Sequence, residues 1–123
     1  MLQAQPLFNE GSVHFQNRDF VRARVFFENT LMIYPKHFDA IHLLGVIDAQ
    51  TNNFHSAVSR FKQAAAIEPN NPRVYNNLGQ VLDELQDYEA ALSNFDRAIA
   101  LDPNYAQAIA NKSETQARAL SKT

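Results

Sequence analysis

Four histidines, His14, His37, His42 and His55, are the side chains best suited to hold a metal or move a proton, and their spacing argues against both roles. None stands four residues from another, as a helical metal site requires, and none has a carboxylate at a spacing that would complete one. Asp83 and Glu84 are the obvious carboxylate pair for acid and base work. Adjacent residues on a helix point about 100 degrees apart, so the two do not converge on one reacting group. The chain has no cysteine, which removes disulfides, thiolate metal sites and a cysteine nucleophile together. Its three glycines fall inside helical patterns and form no phosphate-cradling loop. Asn111-Lys112-Ser113 matches a glycosylation acceptor, but Met1 to Phe8 lacks the basic segment and apolar run of a secretory signal, so the match is read as coincidence. The expectation is a chain with no catalytic residue, no metal, no cofactor and no small-molecule substrate.

Charge narrows the partners further. Eleven Lys and Arg face thirteen Asp and Glu, for a formal charge of −2, and the cations are scattered singly from Arg18 to Lys122. Binding to a phosphate backbone draws its free energy from clustered cations that release counterions, so nucleic acid is not expected. No apolar stretch approaches the roughly 20 residues of a spanning helix, so no membrane is expected either, and the location is read as cytoplasmic. At 123 residues, with 46% apolar and 20% charged side chains, the chain is expected to form one folded domain over 1–123.

What positions these side chains is a repeat. Gly11, Gly45 and Gly79 are 34 residues apart, and the same interval separates Ala23, Ala57 and Ala91; Phe27, Phe61 and Phe95; Pro35, Pro69 and Pro103; and Phe20, Phe54 and Tyr88. A period in this range marks a solenoid whose units bury their apolar faces only against neighbours. Within the second unit Ile41, Leu44 and Ile47, then Val58, Phe61 and Ala65, recur at three and four residues, the spacing of one helix face. Arg18-Asp19, Asn52-Asn53 and Gln86-Asp87 sit between such segments and suit a tight turn, while the prolines stop each second helix. The spacing predicts helices at about 4–17 and 20–33, 38–51 and 54–67, 72–85 and 88–101, and a seventh at about 106–120. Gly and Ala are expected to let the paired backbones approach, with the Phe column filling the space between units.

These columns resemble the tetratricopeptide signature, W-x2-L-G-x2-Y, A-x3-F and P over 34 residues. The third unit supplies Tyr75, Leu78-Gly79, Leu82, Ala91, Phe95 and Pro103; the second Ile41, Leu44-Gly45, Asp48, Ala57, Phe61 and Pro69; the first Leu7, Glu10-Gly11, His14, Ala23, Phe27 and Pro35. The resemblance implies an all-α, right-handed superhelical α-solenoid of three helix-turn-helix units, about 4–37, 38–71 and 72–105, closed by a capping helix at about 106–120. Asp48 departs most from the signature, standing where a Tyr is usual. A partly buried carboxylate needs a partner, so it is expected either to pair with a polar neighbour or to face a ligand.

In this family the first helices line a concave face that commonly holds peptides. The resemblance therefore nominates Phe8, Asn9, Ser12 and Phe15; His42, Leu43, Val46 and Gln50; Arg73, Asn76, Asn77, Gln80 and Glu84; and Asn111 and Glu114 as groove residues. Asn9, Asn77 and Asn111 share one place in their units, with Leu43 interrupting. Such amides either pair with a peptide backbone, as in the arrays of bacterial proteins like the O-linked N-acetylglucosamine transferases, or are solvated polar residues on an exposed face. The family's clamp for a chaperone's terminal carboxylate is absent, because its positions carry Phe8, Ser12, Leu43, Arg73 and Asn77. The leading expectation is a non-enzymatic module that binds a peptide or helix of another protein. The alternatives are the substrate-recruiting region of a larger enzyme such as a glycosyltransferase, and a homo-oligomeric scaffold stacked through Leu7, Phe8 and Phe15.

Overall fold

A computed structural model of the chain describes residues 3–122, so Met1, Leu2 and Thr123, the extremes of the expected 1–123 domain, lie outside the described residues. It contains α1 (Ala4–Gln16), α2 (Phe20–Ile33), α3 (Phe38–Gln50), α4 (Phe54–Ile67), α5 (Pro72–Glu84), α6 (Tyr88–Leu101) and α7 (Ala106–Ser121), and no strand among the described residues. Successive helices pack as antiparallel pairs, α1 with α2, α3 with α4 and α5 with α6, and each pair leans on the next to give an all-α solenoid. None of these helices is long and apolar enough to cross a membrane.

The first helix of each pair stops by one device used three times. Arg18, Asn52 and Gln86 adopt left-handed backbone, with φ of 59°, 64° and 64°. The next amide, of Asp19, Asn53 or Asp87, then donates back to the carbonyl of His14, Asp48 or Leu82 at 2.8, 2.7 and 2.9 Å. This is a Schellman closure, and it ends α1, α3 and α5 one residue earlier than the hydrophobic spacing predicts. Asp19 and Asp87 then cap the following helices by accepting from the amides of Arg22 and Ala90. Pro72 enters α5 in its first turn, behind the Asn71 cap.

The core is built on the Phe column. Phe27, Phe61 and Phe95 are almost wholly enclosed, and each ring lies over the glycine of its own unit. A Cβ on Gly11, Gly45 or Gly79 would stand 2.6 Å from that ring. The glycines therefore make room for the phenylalanine ring of their own pair. Phe27 also packs with Ala40, Leu44 and Ile47 of the second unit, so the same ring joins one unit to the next.

Asp48 is settled by geometry. It is buried on α3, where Arg24 of α2 holds it at 2.7 Å and the Ser56 hydroxyl of α4 donates to it at 2.6 Å. Both partners come from second helices, one from the preceding unit and one from its own. Of the two expectations for this residue the structural one holds, and no carboxylate oxygen is left to reach a ligand.

Candidate functional site

The first helices α1, α3, α5 and α7 stand side by side, and three open concavities run along them. Phe15, Gln16, Arg18, Phe20, Val46 and Gln50 line the first, about 290 Å³, between α1 and α3. The second, about 360 Å³, lies between α3 and α5 over Val46, Ala49, Gln50, Asn52, Phe54, Phe61, Asn77, Gln80, Val81 and Glu84. The third, about 650 Å³, lies between α5 and α7 and takes in Gln80, Asp83, Glu84, Gln86, Tyr88, Phe95, Asn111, Glu114, Thr115, Arg118, Ser121 and Lys122. Val46 and Gln50 belong to the first and second, Gln80 and Glu84 to the second and third. The three are segments of one groove.

Of the nominated residues, Val46, Gln50, Asn77, Gln80, Glu84 and Asn111 line this groove. Phe15, in the first segment, and Glu114, in the third, line it too, and the remaining nominees are placed elsewhere. Phe8 is half-buried, 5.4 Å from the Phe27 ring and 4.8 Å from His37, and serves the core. Leu43 packs against the same core. Asn9 is exposed and accepts from the Gln5 amide, while the Ser12 hydroxyl donates to the Phe8 carbonyl. Arg73 is exposed at the start of α5. His42 and Asn76 require correction as surface residues: His42 is 6% exposed and Asn76 0%, because the next unit covers them. Leu7, Phe8 and Phe15 are all half-buried, and Val13, Val21 and Val25 of the same unit are exposed.

The sequence reading missed the rim. Phe20, Phe54 and Tyr88 each line one segment, and so do Arg18, Asn52 and Gln86 from the left-handed turns. The aromatic column is visible at the 34-residue period, where its helical spacing points to packing. Projecting first helices alone cannot reveal a lip contributed by the turn and the first residue of the second helix.

The groove changes character along its length. Its first half is apolar, with Phe15, Phe20, Val46, Ala49 and Phe54, and Arg18 lies over the Phe20 ring at 5.3 Å. Its second half is polar. Arg118 binds Asp83 through two bonds, 2.7 and 3.0 Å, and Thr115 donates to the same carboxylate at 3.0 Å, so that pair is internally neutralised. The Asp83 bond holds the Arg118 guanidinium above its ordinary range, with burial opposing. Glu84, Glu114 and Lys122 have no ion pair among the described residues and leave this half with two unpaired carboxylates against one unpaired ammonium.

Beneath the amides lies a polar seam between units. The Asn77 amide nitrogen sits 2.8 Å from Nε2 of His42, and the Asn111 amide nitrogen donates to Oδ1 of Asn76 at 2.9 Å. Burial chiefly, with the nearby Arg73 charge second, lowers the His42 pKa to about 4 against a smaller opposing effect of Asp39. The ring is therefore neutral at pH 7, and in its Nδ1–H tautomer the Nε2 lone pair accepts from the Asn77 amide nitrogen that faces it. No group of three or more His, Cys, Asp or Glu that could hold a metal occurs among the described residues.

The family model for the tetratricopeptide repeat matches residues 72–105, and a second, described as a TPR repeat, matches residues 45–86. The chain belongs to the tetratricopeptide repeat family. No curated protein matches this TPR sequence. Among solved structures it is similar to MamA residues 41 to end from Desulfovibrio magneticus RS-1, with TM-score 0.90 and 23% identity over 94% of this chain and 66% of that one. The Thermobaculum terrenum O-GlcNAc transferase, as a K341M mutant, gives TM-score 0.85 and 23% identity over 91% of this chain and 22% of that one. The first TPR of Spaghetti (RPAP3), bound to an HSP90 peptide, gives 0.90 and 20% over 97% and 94%. At these identities the likeness is one of fold. The TPR chain spans about two thirds of the MamA structure and about a fifth of the transferase.

Proposed function

We propose that the chain is a non-catalytic protein-interaction module that holds a segment of a partner polypeptide along the groove of α1, α3, α5 and α7. One observation carries this reading: three concavities share lining residues and so form a continuous trough, apolar at one end and polar at the other. A trough of this kind suits a peptide with an apolar anchor and an accessible backbone. The fold is shared with a TPR that is bound to an HSP90 peptide and with YrrB, described as a TPR protein with an unusual peptide-binding site. Partner chemistry here differs from an acidic peptide. Glu84 and Glu114 repel carboxylates and outnumber Lys122, while the Arg118 cation is already engaged by Asp83. The favoured partner is a neutral or basic segment whose apolar side chain sits over Val46, Ala49 and Phe54.

Selection of a displayed random peptide library on the intact chain tests the reading. Peptides with an apolar residue followed by neutral or basic positions are expected. Val46→Glu, which places a charge in the apolar half, is expected to weaken them about 10-fold or more with the helical circular dichroism unchanged. Failure to recover binders, or binders indifferent to both Val46→Glu and Phe54→Ala, removes the groove as the site.

A further inference from the structure

Two hydrogen bonds cross between successive units at equivalent places. His42 and Asn76 are one period apart, and so are Asn77 and Asn111, and the bonds join each member of the first series to the corresponding member of the second. In both cases the asparagine contributes its nitrogen. Asn77 Nδ2 faces the Nε2 lone pair of His42, and Asn111 Nδ2 donates to Asn76 Oδ1. The inner partners are themselves fixed. The His42 ring is held between Phe38 and Phe61, at centroid distances of 5.5 and 5.7 Å, while the Asn76 amide nitrogen meets the Tyr105 hydroxyl at 3.4 Å.

An amide whose donor end is taken up inward must turn its acceptor end outward. The carbonyl oxygens of Asn77 and Asn111 have no hydrogen bond among the described residues, and neither is a buried atom left without a partner, so both reach solvent. Both residues line the groove, Asn77 its second segment and Asn111 its third. The carboxylates of Glu84 and Glu114 stand along the same stretch and can also only accept.

We propose that His42 and Asn76 are positioning residues that turn the carbonyl oxygens of Asn77 and Asn111 into the groove, making its polar half an acceptor surface for the backbone N–H groups of an extended peptide. This rests on the peptide-binding reading above and adds to it the conformation and bonding sense of the ligand. An extended chain offers backbone N–H groups to one side at every second residue. A helical ligand keeps its N–H groups in internal bonds beyond the first turn and has little to give. A terminal carboxylate would meet the Asn77 and Asn111 carbonyls and the Glu84 and Glu114 carboxylates, none of which can donate to it.

The probe is the tightest peptide from the displayed library, remade with single backbone N-methyl groups along its polar half. Methylation at alternating positions is expected to weaken binding roughly 3- to 10-fold, the usual weight of one hydrogen bond, and the intervening positions to tolerate it. His42→Phe keeps an aromatic ring but removes the acceptor, and is expected to weaken the unmethylated peptide by a similar factor. His42→Gln, which restores an acceptor, is expected to recover most of it. In an Asn77→Ala background His42→Phe is expected to have no further effect, whereas a purely structural role for His42 would persist there. A peptide lost on Val46→Glu but indifferent to every N-methyl group and to His42→Phe overturns this inference and leaves the groove intact as a site. A library without groove binders overturns both.

Discussion

His42 shows how a single buried side chain links the repeat to pH. Its pKa falls from the ordinary 6.5 to about 4 on folding, chiefly because the next unit takes it out of water. A depressed histidine stabilises the fold fully above its unfolded pKa, and that contribution is lost as pH drops from about 6.5 toward 4, because the unfolded chain takes up the proton first. A shift of this size amounts to roughly 3 kcal/mol. Urea denaturation at pH 7 and pH 4 is therefore expected to show the parent losing about 2–3 kcal/mol more than His42→Phe over that interval; equal losses would mean that His42 is not the group responsible. Asp48 behaves differently, since its burial is matched by Arg24 and Ser56. Arg24→Met, which strands the carboxylate, is expected to cost about 3 kcal/mol in chemical denaturation, while Arg24→Leu with Asp48→Leu is expected to recover most of the loss. An additive double mutant would show that the ion pair is not the reason Asp48 tolerates burial. The anomaly at Asp48 was legible in the sequence as a carboxylate in an apolar column. Its partners were not, because they come from second helices whose rotation toward α3 no local spacing encodes.

At the scale of the helix pair, the glycine column sets how close a phenylalanine can lie. Alanine in a helix interior is favoured over glycine by about 1 kcal/mol. At Gly45 the new methyl would stand 2.6 Å from the Phe61 ring, which is enclosed and cannot swing away. Overpacking of a core typically costs about 1–3 kcal/mol, so the clash is expected to win and Gly45→Ala to lower stability by about 1–2 kcal/mol. Combining it with Phe61→Leu, which empties the contested space, should make the alanine neutral or favourable; if Gly45→Ala is harmful in both backgrounds, the ring is not its cause. The helices themselves were legible to within a residue, since their apolar spacing, turns and prolines all repeat at one interval. The groove was legible only in part. Phe15, Val46, Gln50, Asn77, Gln80, Glu84, Asn111 and Glu114 followed from projecting the first helices, but His42 and Asn76 occupy that same projection and are covered by the unit that follows. Which residue of a helix face is roofed over depends on the tilt between units, and the tilt is a property of packing rather than of period.

For the whole molecule, stability passes from pair to pair, and the two ends of the array are not equivalent. Val13 is 54% exposed on α1, while Ile47 and Val81, one and two periods later, are buried against the preceding unit. At the other end α7 covers the third unit. It buries Ala108 and Thr115, supplies Asn111 to Asn76, and brings Thr115 and Arg118 to Asp83. In a nearest-neighbour array, removing a terminal element weakens the unit it touches and reaches the others only through the intervening interfaces. Truncation after Asp102 is therefore expected to raise amide exchange in α5 and α6 first, with α1 and α2 changing least. Asn76 and Asp83, left without their α7 partners, would add the cost of unsatisfied polar groups to the lost apolar contact. Uniform acceleration across all the remaining helices would instead make the chain one cooperative block, in which no junction is independent of the next. The same truncation deletes the third groove segment and the Asn111 carbonyl, so a peptide spanning the polar half should lose affinity even where α1 to α4 stay fully protected.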